Sequence, residues 1–94
     1  MGLEFEWDAS KERLNFLKHR VRFEEAVRVF RDATAKLFDD PDHSDTEHRM
    51  ILIGHSANRL LVVSVTERQG RIRLISARRA TPREREDYEQ AVQG

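Results

Sequence analysis

Apolar and polar residues alternate at the start of the chain, with Leu3, Phe5 and Trp7 set against Glu4 and Glu6. A period of two marks a short, half-buried strand. Asp8 can cap a helix, and the spacing predicts one running to about His19 with Leu14, Phe16, Leu17 and Val21 as its apolar positions. Lys11, Asn15 and Lys18 stand at i, i+4 and i+7, so they share one polar face that reads as solvent-facing. After a break at 20–22, Phe23, Ala26, Val27 and Phe30 recur at helical spacing and predict a second helix over 23–31. Ala35–Phe38 is a candidate strand, followed by an acidic loop from Asp39 to Asp45.

The second half reads as a meander of strands over 49–54, 60–67 and 71–78. Asn58-Arg59 is a turn candidate because Asn tolerates positive φ, and Gln69-Gly70 is a second turn. Thr81 and Glu84 form a capping box around Pro82 at the first helical position, predicting a helix to about Val92. The order β-α-α-β-β-β-β-α implies an α+β fold: a mostly antiparallel sheet of about four to five strands, two N-terminal helices and one C-terminal helix.

Composition narrows the class. The 94 residues suit a single domain over 1–94, and 38% hydrophobic against 36% charged residues describes a small core under a charged surface. No apolar run approaches the ~18–20 residues of a membrane span. Met1 to Asp8 carries three acids and no base, unlike a signal peptide, so a cytoplasmic protein is expected. The absence of cysteine excludes disulfides, thiolate zinc sites and cysteine nucleophiles.

The net charge of zero conceals a polarised chain. Residues 1–47 carry 8 Lys and Arg against 12 Asp and Glu, whereas residues 48–94 carry 9 arginines against 5 acids. Between His48 and Arg85 only Glu67 and Glu84 oppose those arginines. Arginine's planar fork suits bidentate phosphate contacts, so this segment points to a polyanion. The plainer reading is a solvated face pairing with the acidic half, with Arg71 and Arg73 on Glu4 and Glu6.

Several segments together resemble the BrnT family of toxins from bacterial type II toxin–antitoxin pairs. They are Phe5-Glu6-Trp7-Asp8 with Lys11, Asn15 and Lys18-His19; Phe23-Glu24-Glu25-Ala26 with Val29-Phe30; Asp42-His43 with Glu47-His48-Arg49; Ile53-Gly54-His55-Ser56; and Arg59 to Val63. Thr66-Glu67-Arg68, the stretch Arg71 to Thr81, and Glu84-Arg85 with Tyr88-Glu89 complete the set, with Ile75-Ser76-Ala77-Arg78-Arg79-Ala80-Thr81 the most specific piece. The resemblance implies a RelE-like ribonuclease fold, RNA cleavage that arrests translation, and a ribbon-helix-helix antitoxin bound in a hetero-oligomer. Two positions depart from the family: Arg20 and Asn58 stand where Gly is common. If the backbone at 20 is left-handed, Arg there costs roughly 1–2 kcal/mol relative to Gly.

Cleaving RNA without metal requires a base at the 2′-hydroxyl, cations around the phosphorane and an acid for the leaving 5′ oxygen. Glu47, His19, His43, His48 and His55 are the candidate proton carriers, and Arg49, Arg68, Arg78 and Arg79 the candidate charge stabilisers. Strand alternation puts Arg78 with Ile72, Leu74 and Ser76, and Arg79 with Arg71 and Arg73, unless a bulge intervenes. Only one of the two arginines then enters a given cleft; the other holds the RNA backbone or an acid of the first half. Lys11, Lys18, His19, His43, Arg71 and Arg73 are the candidate RNA-binding residues. The histidines at 43, 48 and 55 with Asp42 and Asp45 match no compact zinc signature, so neither metal nor cofactor is expected. Trp7 reads as core, and Tyr88 as an aromatic anchor for the antitoxin. A nucleic-acid-binding module without catalysis and a protein-interaction subunit with a basic face also fit the arginine pattern. Incubation of the purified protein with RNA in EDTA separates the nuclease from both.

Overall fold

In a computed structural model describing residues 2–40 and 48–93, the capping signals fall where the sequence puts them. After strand β1 (Phe5–Glu6), the Asp8 carboxylate accepts the N–H groups of Ser10 (2.8 Å) and Lys11 (3.1 Å) and starts helix α1 (Ala9–His19). The helix stops at Arg20, whose φ of 58° and ψ of 32° are left-handed, the conformation in which Gly is the unstrained residue. Helix α2 (Phe23–Arg28) tightens into a 3₁₀ turn at Val29–Arg31, so the expected second helix ends in a different winding. Its first turn takes a cap from α1: the Phe23 N–H donates to Glu12 Oε2 at 3.1 Å. Strands β2 (Lys36–Asp39), β3 (Arg49–Ser56), β4 (Arg59–Arg68) and β5 (Arg71–Arg79) follow, then helix α3 (Pro82–Gln93). The capping box closes in both directions, Glu84 N–H to Thr81 Oγ1 at 3.1 Å and Thr81 N–H to Glu84 Oε1 at 2.9 Å.

The strands make one sheet in the order β1-β5-β4-β3-β2, antiparallel except where β1 joins β5 in parallel. Val21, Phe23, Ala26 and Val29 pack on Leu52, Leu61, Val63, Val65, Leu74 and Ala77 to form the buried core. Trp7 packs against it, edge-on to Phe23. Gly54 is required for this packing, since a Cβ there would lie 2.8 Å from Ala35 Cβ and 2.9 Å from Val29 Cγ1.

Three local expectations fail, each for a physical reason. Leu14 and Leu17 are 65% and 60% exposed, whereas Asn15, expected on the solvent face, is 7% exposed. The cause is the short β1, which pairs with β5 only at Ile72 and Arg73 and leaves the rest of that edge open. Asn15 supplies the missing partner. Its Oδ1 accepts the Ala77 N–H at 3.0 Å, and its Nδ2 donates to the carbonyls of Ala77 and Val21, both at 2.9 Å. Satisfying three buried backbone groups outweighs burying two leucines. Second, Val65 pairs with Leu74 but Ser64 with Ser76, so Ile75 is an extra residue that inverts the alternation. Buried Leu74 and Ala77 are consequently an odd number of residues apart, Arg78 shares the face of Arg71 and Arg73, and Arg79 turns to the other. Third, in the β3–β4 turn Ala57, not Asn58, takes the positive φ, 55°. Gln69 (55°) and Gly70 (79°) form the other turn as expected.

Asn15→Ala leaves buried backbone groups unsatisfied and is expected to cost about 2–4 kcal/mol in urea denaturation. Arg20→Gly relieves the left-handed terminus and is expected to gain about 1 kcal/mol. A neutral Asn15→Ala would show that the β5 edge finds its partners in water.

Candidate functional site

α1 and α2 close one face of the sheet. The other face meets α3 at one end only. Tyr88 of α3 is buried, with its ring 5.5 Å from His55 and its hydroxyl 2.7 Å from Thr34 Oγ1. The residue expected to anchor a partner is thus spent on holding its own helix. The described remainder of this face carries arginines on three adjacent strands: Arg49 of β3 stands opposite Thr66 of β4, and Thr66 opposite Arg73 of β5.

The candidate residues fall into two groups. Arg49, Arg68, Arg71 and Arg73 lie at one end of the sheet and Lys18, His19, Arg78 and Arg79 toward the other, while Lys11, in the first turn of α1, acts with Arg73 on the Asp8 carboxylate. Arg68 pairs with Arg71 and Leu61 with Arg79, a separation of roughly 23 Å at about 3.3 Å per residue. One phosphate cannot meet both ends. Glu47 and His43, with Asp42 and Asp45 of the suspected metal group, lie outside the described residues. Among the described residues no cluster of three or more His, Asp or Glu side chains could hold a metal ion. His48 Nε2 lies 2.9 Å from Asp39 Oδ1 on the surface.

At the first end, acids of the N-terminal half hold two of the arginines. Arg71 lies 3.2 Å from Glu4 and 3.7 Å from Glu6, and Arg73 3.0 Å from Glu6. The plainer pairing reading is correct for these two. The exposed Arg71–Glu4 pair contributes about 0–1 kcal/mol and can be exchanged for another anion, whereas Arg73–Glu6 is half-buried.

At the second end, Asn15 fixes α1 against β5 so that Lys11 and Lys18, on the same helical face, overhang the strand. Lys11, Leu14, Lys18, His19, Ile75 and Ser76 line a cleft of about 220 Å³ there. Burial first, then Lys18 and Arg78, push the His19 imidazole below its ordinary value, which favours the neutral form that has a lone pair to offer. Arg78 is held by a fork of two 2.8 Å bonds to Glu84, which raises the guanidinium further. The same bonds, helped by Thr81 against the effect of burial, bring the Glu84 carboxyl down to about 2. Arg79 lines a separate cavity with Arg59 and Arg85.

Asp32 is a residue the sequence reading passed over. Burial acts to raise its carboxyl, but the His55 N–H (2.6 Å) and the Thr34 N–H (2.9 Å) and hydroxyl (2.7 Å) outweigh it and hold it at about 2. The sequence signal was Asp32-Ala33-Thr34, an Asp able to bond the backbone two residues on.

A sheet covered by helices on one face and carrying arginines on the other, with lysines and a histidine lining a cleft at its edge, defines a small α+β domain with a cationic surface. Residues 7–84 match the model of the ribonuclease toxin BrnT of type II toxin–antitoxin systems, and the chain belongs to that family. It is a ribonuclease toxin of a type II pair, and its partner is an antitoxin. Comparison with curated proteins gives no match. Among the described residues no helix is long and apolar enough to cross a membrane.

Asp32 and Glu84 both have folded values below their unfolded ones, so the stability they contribute is complete above about pH 4.5 and is lost as pH falls toward 2. Thermal unfolding across that range is expected to show Asp32→Asn and Glu84→Gln less stable than the parent at pH 7 but closer to it near pH 2. Equal offsets at both pH values would exclude these carboxylates from the acid response.

Proposed function

We propose that the protein is a metal-independent endoribonuclease whose reacting phosphate sits in the cleft between α1 and β5. The observation that carries this reading is the cleft in which His19 stands with Lys11 and Lys18 against Ile75 and Ser76, where burial and the nearby Lys18 and Arg78 push its imidazole below its ordinary value. A 2′-hydroxyl in the cleft gives its proton to the His19 imidazole as its oxygen attacks phosphorus. Lys11, Lys18 and Arg78 meet the charge that grows on the phosphorane oxygens, and the lysine ammonium groups are the proton sources for the departing 5′ oxygen. The Lys11 and Lys18 ammonium groups that line the cleft repel a divalent ion and supply positive charge that it would bring, which favours chemistry without one. Arg79 turns away from the cleft and acts on flanking backbone. Arg49, Arg68, Arg71 and Arg73 guide the strand over the far end of the sheet; Glu47 is kept as a catalytic candidate and His43 as an RNA-binding one on the family resemblance of the segment that holds them.

Cleavage of cellular RNA in the cytoplasm then arrests translation and growth. A ribbon-helix-helix antitoxin silences the toxin in a hetero-oligomer by laying acidic side chains on the same cationic face, in competition with RNA.

RNA cleavage is expected to be undiminished in excess EDTA. His19→Gln is expected to lower the rate by about 10²–10⁴-fold, with the circular dichroism spectrum unchanged. The parent rate should rise with pH through a midpoint below 6.5 as His19 deprotonates, and the variant should lack that limb. Loss of cleavage in EDTA, restored by one metal, would replace this mechanism with a metal-assisted one. Full activity in His19→Gln would move the base elsewhere.

A further inference from the structure

Three arginines converge where β4 begins and β5 ends. Arg59, Arg79 and Arg85 line a cavity of about 410 Å³ with Asn58, Leu60 and Ala80. It shares no lining residue with the α1–β5 cleft. Neighbouring arginines are matched by acids: Arg71 and Arg73 by Glu4 and Glu6, Arg78 by Glu84, and Arg83 by Asp87. The cavity lacks that balance. Arg59 is held through its Nε, 3.1 Å from Glu25 Oε2, and that carboxylate is the one acid set against the three arginines. Among the described residues, the Arg79 and Arg85 guanidinium groups have no acid partner. Three cations facing one carboxylate across a concave surface focus a positive potential, which an entering anion relieves.

Arginine binds phosphate through paired N–H groups, and Leu60 and Ala80 give the cavity an apolar wall suited to a ribose or base. We propose that this cavity is a second phosphate site, holding the RNA backbone at a nucleotide other than the one being cut. The proposal rests on the ribonuclease reading for its choice of polyanion. It makes substrate length a determinant of affinity: a strand that fills the cleft and reaches round the end of β5 binds through both sites, and a shorter one through the cleft alone.

The test uses the intact protein with 2′-O-methyl trinucleotide and decanucleotide, which bind without being cleaved, and measures affinity against salt. Arg85→Ala is expected to weaken decanucleotide binding several-fold and to reduce its log–log salt slope by about 0.7, the share of one phosphate on a single strand. Arg85→Glu is expected to weaken it by about tenfold or more, Arg85→Lys to restore the slope, and trinucleotide binding to stay unchanged throughout. Unchanged decanucleotide binding and slope in Arg85→Glu would overturn the site. So would an equal loss for both lengths, which describes a diffuse field, or a loss confined to binding of the antitoxin, which assigns the cavity to acidic side chains. The reaction is scored separately on unmodified RNA. A parent protein that fails to cleave, alongside the length-selective loss, would overturn the nuclease cleft and leave this phosphate site standing.

Discussion

One side-chain amide determines how the two parts of the chain fit together. Asn15 takes the place of a missing strand at the β5 edge, meeting both the N–H and the C=O of Ala77 and also the Val21 carbonyl beyond the end of its own helix. A helix normally docks through an apolar stripe, which permits sliding and rotation. A reciprocal amide pair permits neither, because each bond has a direction and a buried group left unmade costs about 1–3 kcal/mol. The rotation it imposes on α1 turns Leu14 and Leu17 outward and brings Lys11, Lys18 and His19 over Ile75 and Ser76. The cleft is therefore a consequence of how the helix is held.

The second constraint is the bulge at Ile75. Without it Arg78 would share the face of Leu74 and Arg79 that of Arg73. With it the two arginines exchange sides: Arg78 forks onto Glu84, and Arg79 lines a separate cavity with Arg59 and Arg85. A residue inserted into a buried strand is costly unless its neighbours use the change of direction, and here they do. Leu74 and Ala77 both reach the core, Ser76 faces the cleft, and Arg78 reaches Glu84. The Arg78–Glu84 fork then joins the first turn of α3 to the end of β5, so one carboxylate serves as helix cap and as counter-ion.

Where a single residue type carries the signal, the sequence was a good guide. Asp8, the Thr81–Glu84 box and Gln69-Gly70 each depend on local bonds or on a local φ, and the structure has all three. The left-handed Arg20 could be anticipated from the glycine common there in the family. The element order and sheet class followed from these boundaries. The features that escaped are non-local. Nothing in the spacing of Leu14, Phe16 and Leu17 reveals that β1 stops short, and so nothing says that an asparagine will displace them from the core. Nor does β5 announce a bulge, since 71–79 alternates equally well in either phase around Ile75. Tyr88 had the composition of an interface anchor, but the Thr34 hydroxyl that receives it lies far away in sequence. The catalytic candidates were chosen by residue type, and residue type does not say that Arg68 and Arg78 stand at opposite ends of one sheet.

The proposed site depends on His19, whose imidazole burial, Lys18 and Arg78 push below its ordinary value, and its ionisation can be read directly. An NMR titration of the His19 ring resonances in the free protein reports it without any substrate. The account requires a midpoint below 6.5, moving upward when Lys18 is replaced by Ala. A midpoint at or above 6.5, unmoved by that substitution, would show that neither burial nor Lys18 acts on the imidazole, and would contradict the environment assigned to the cleft.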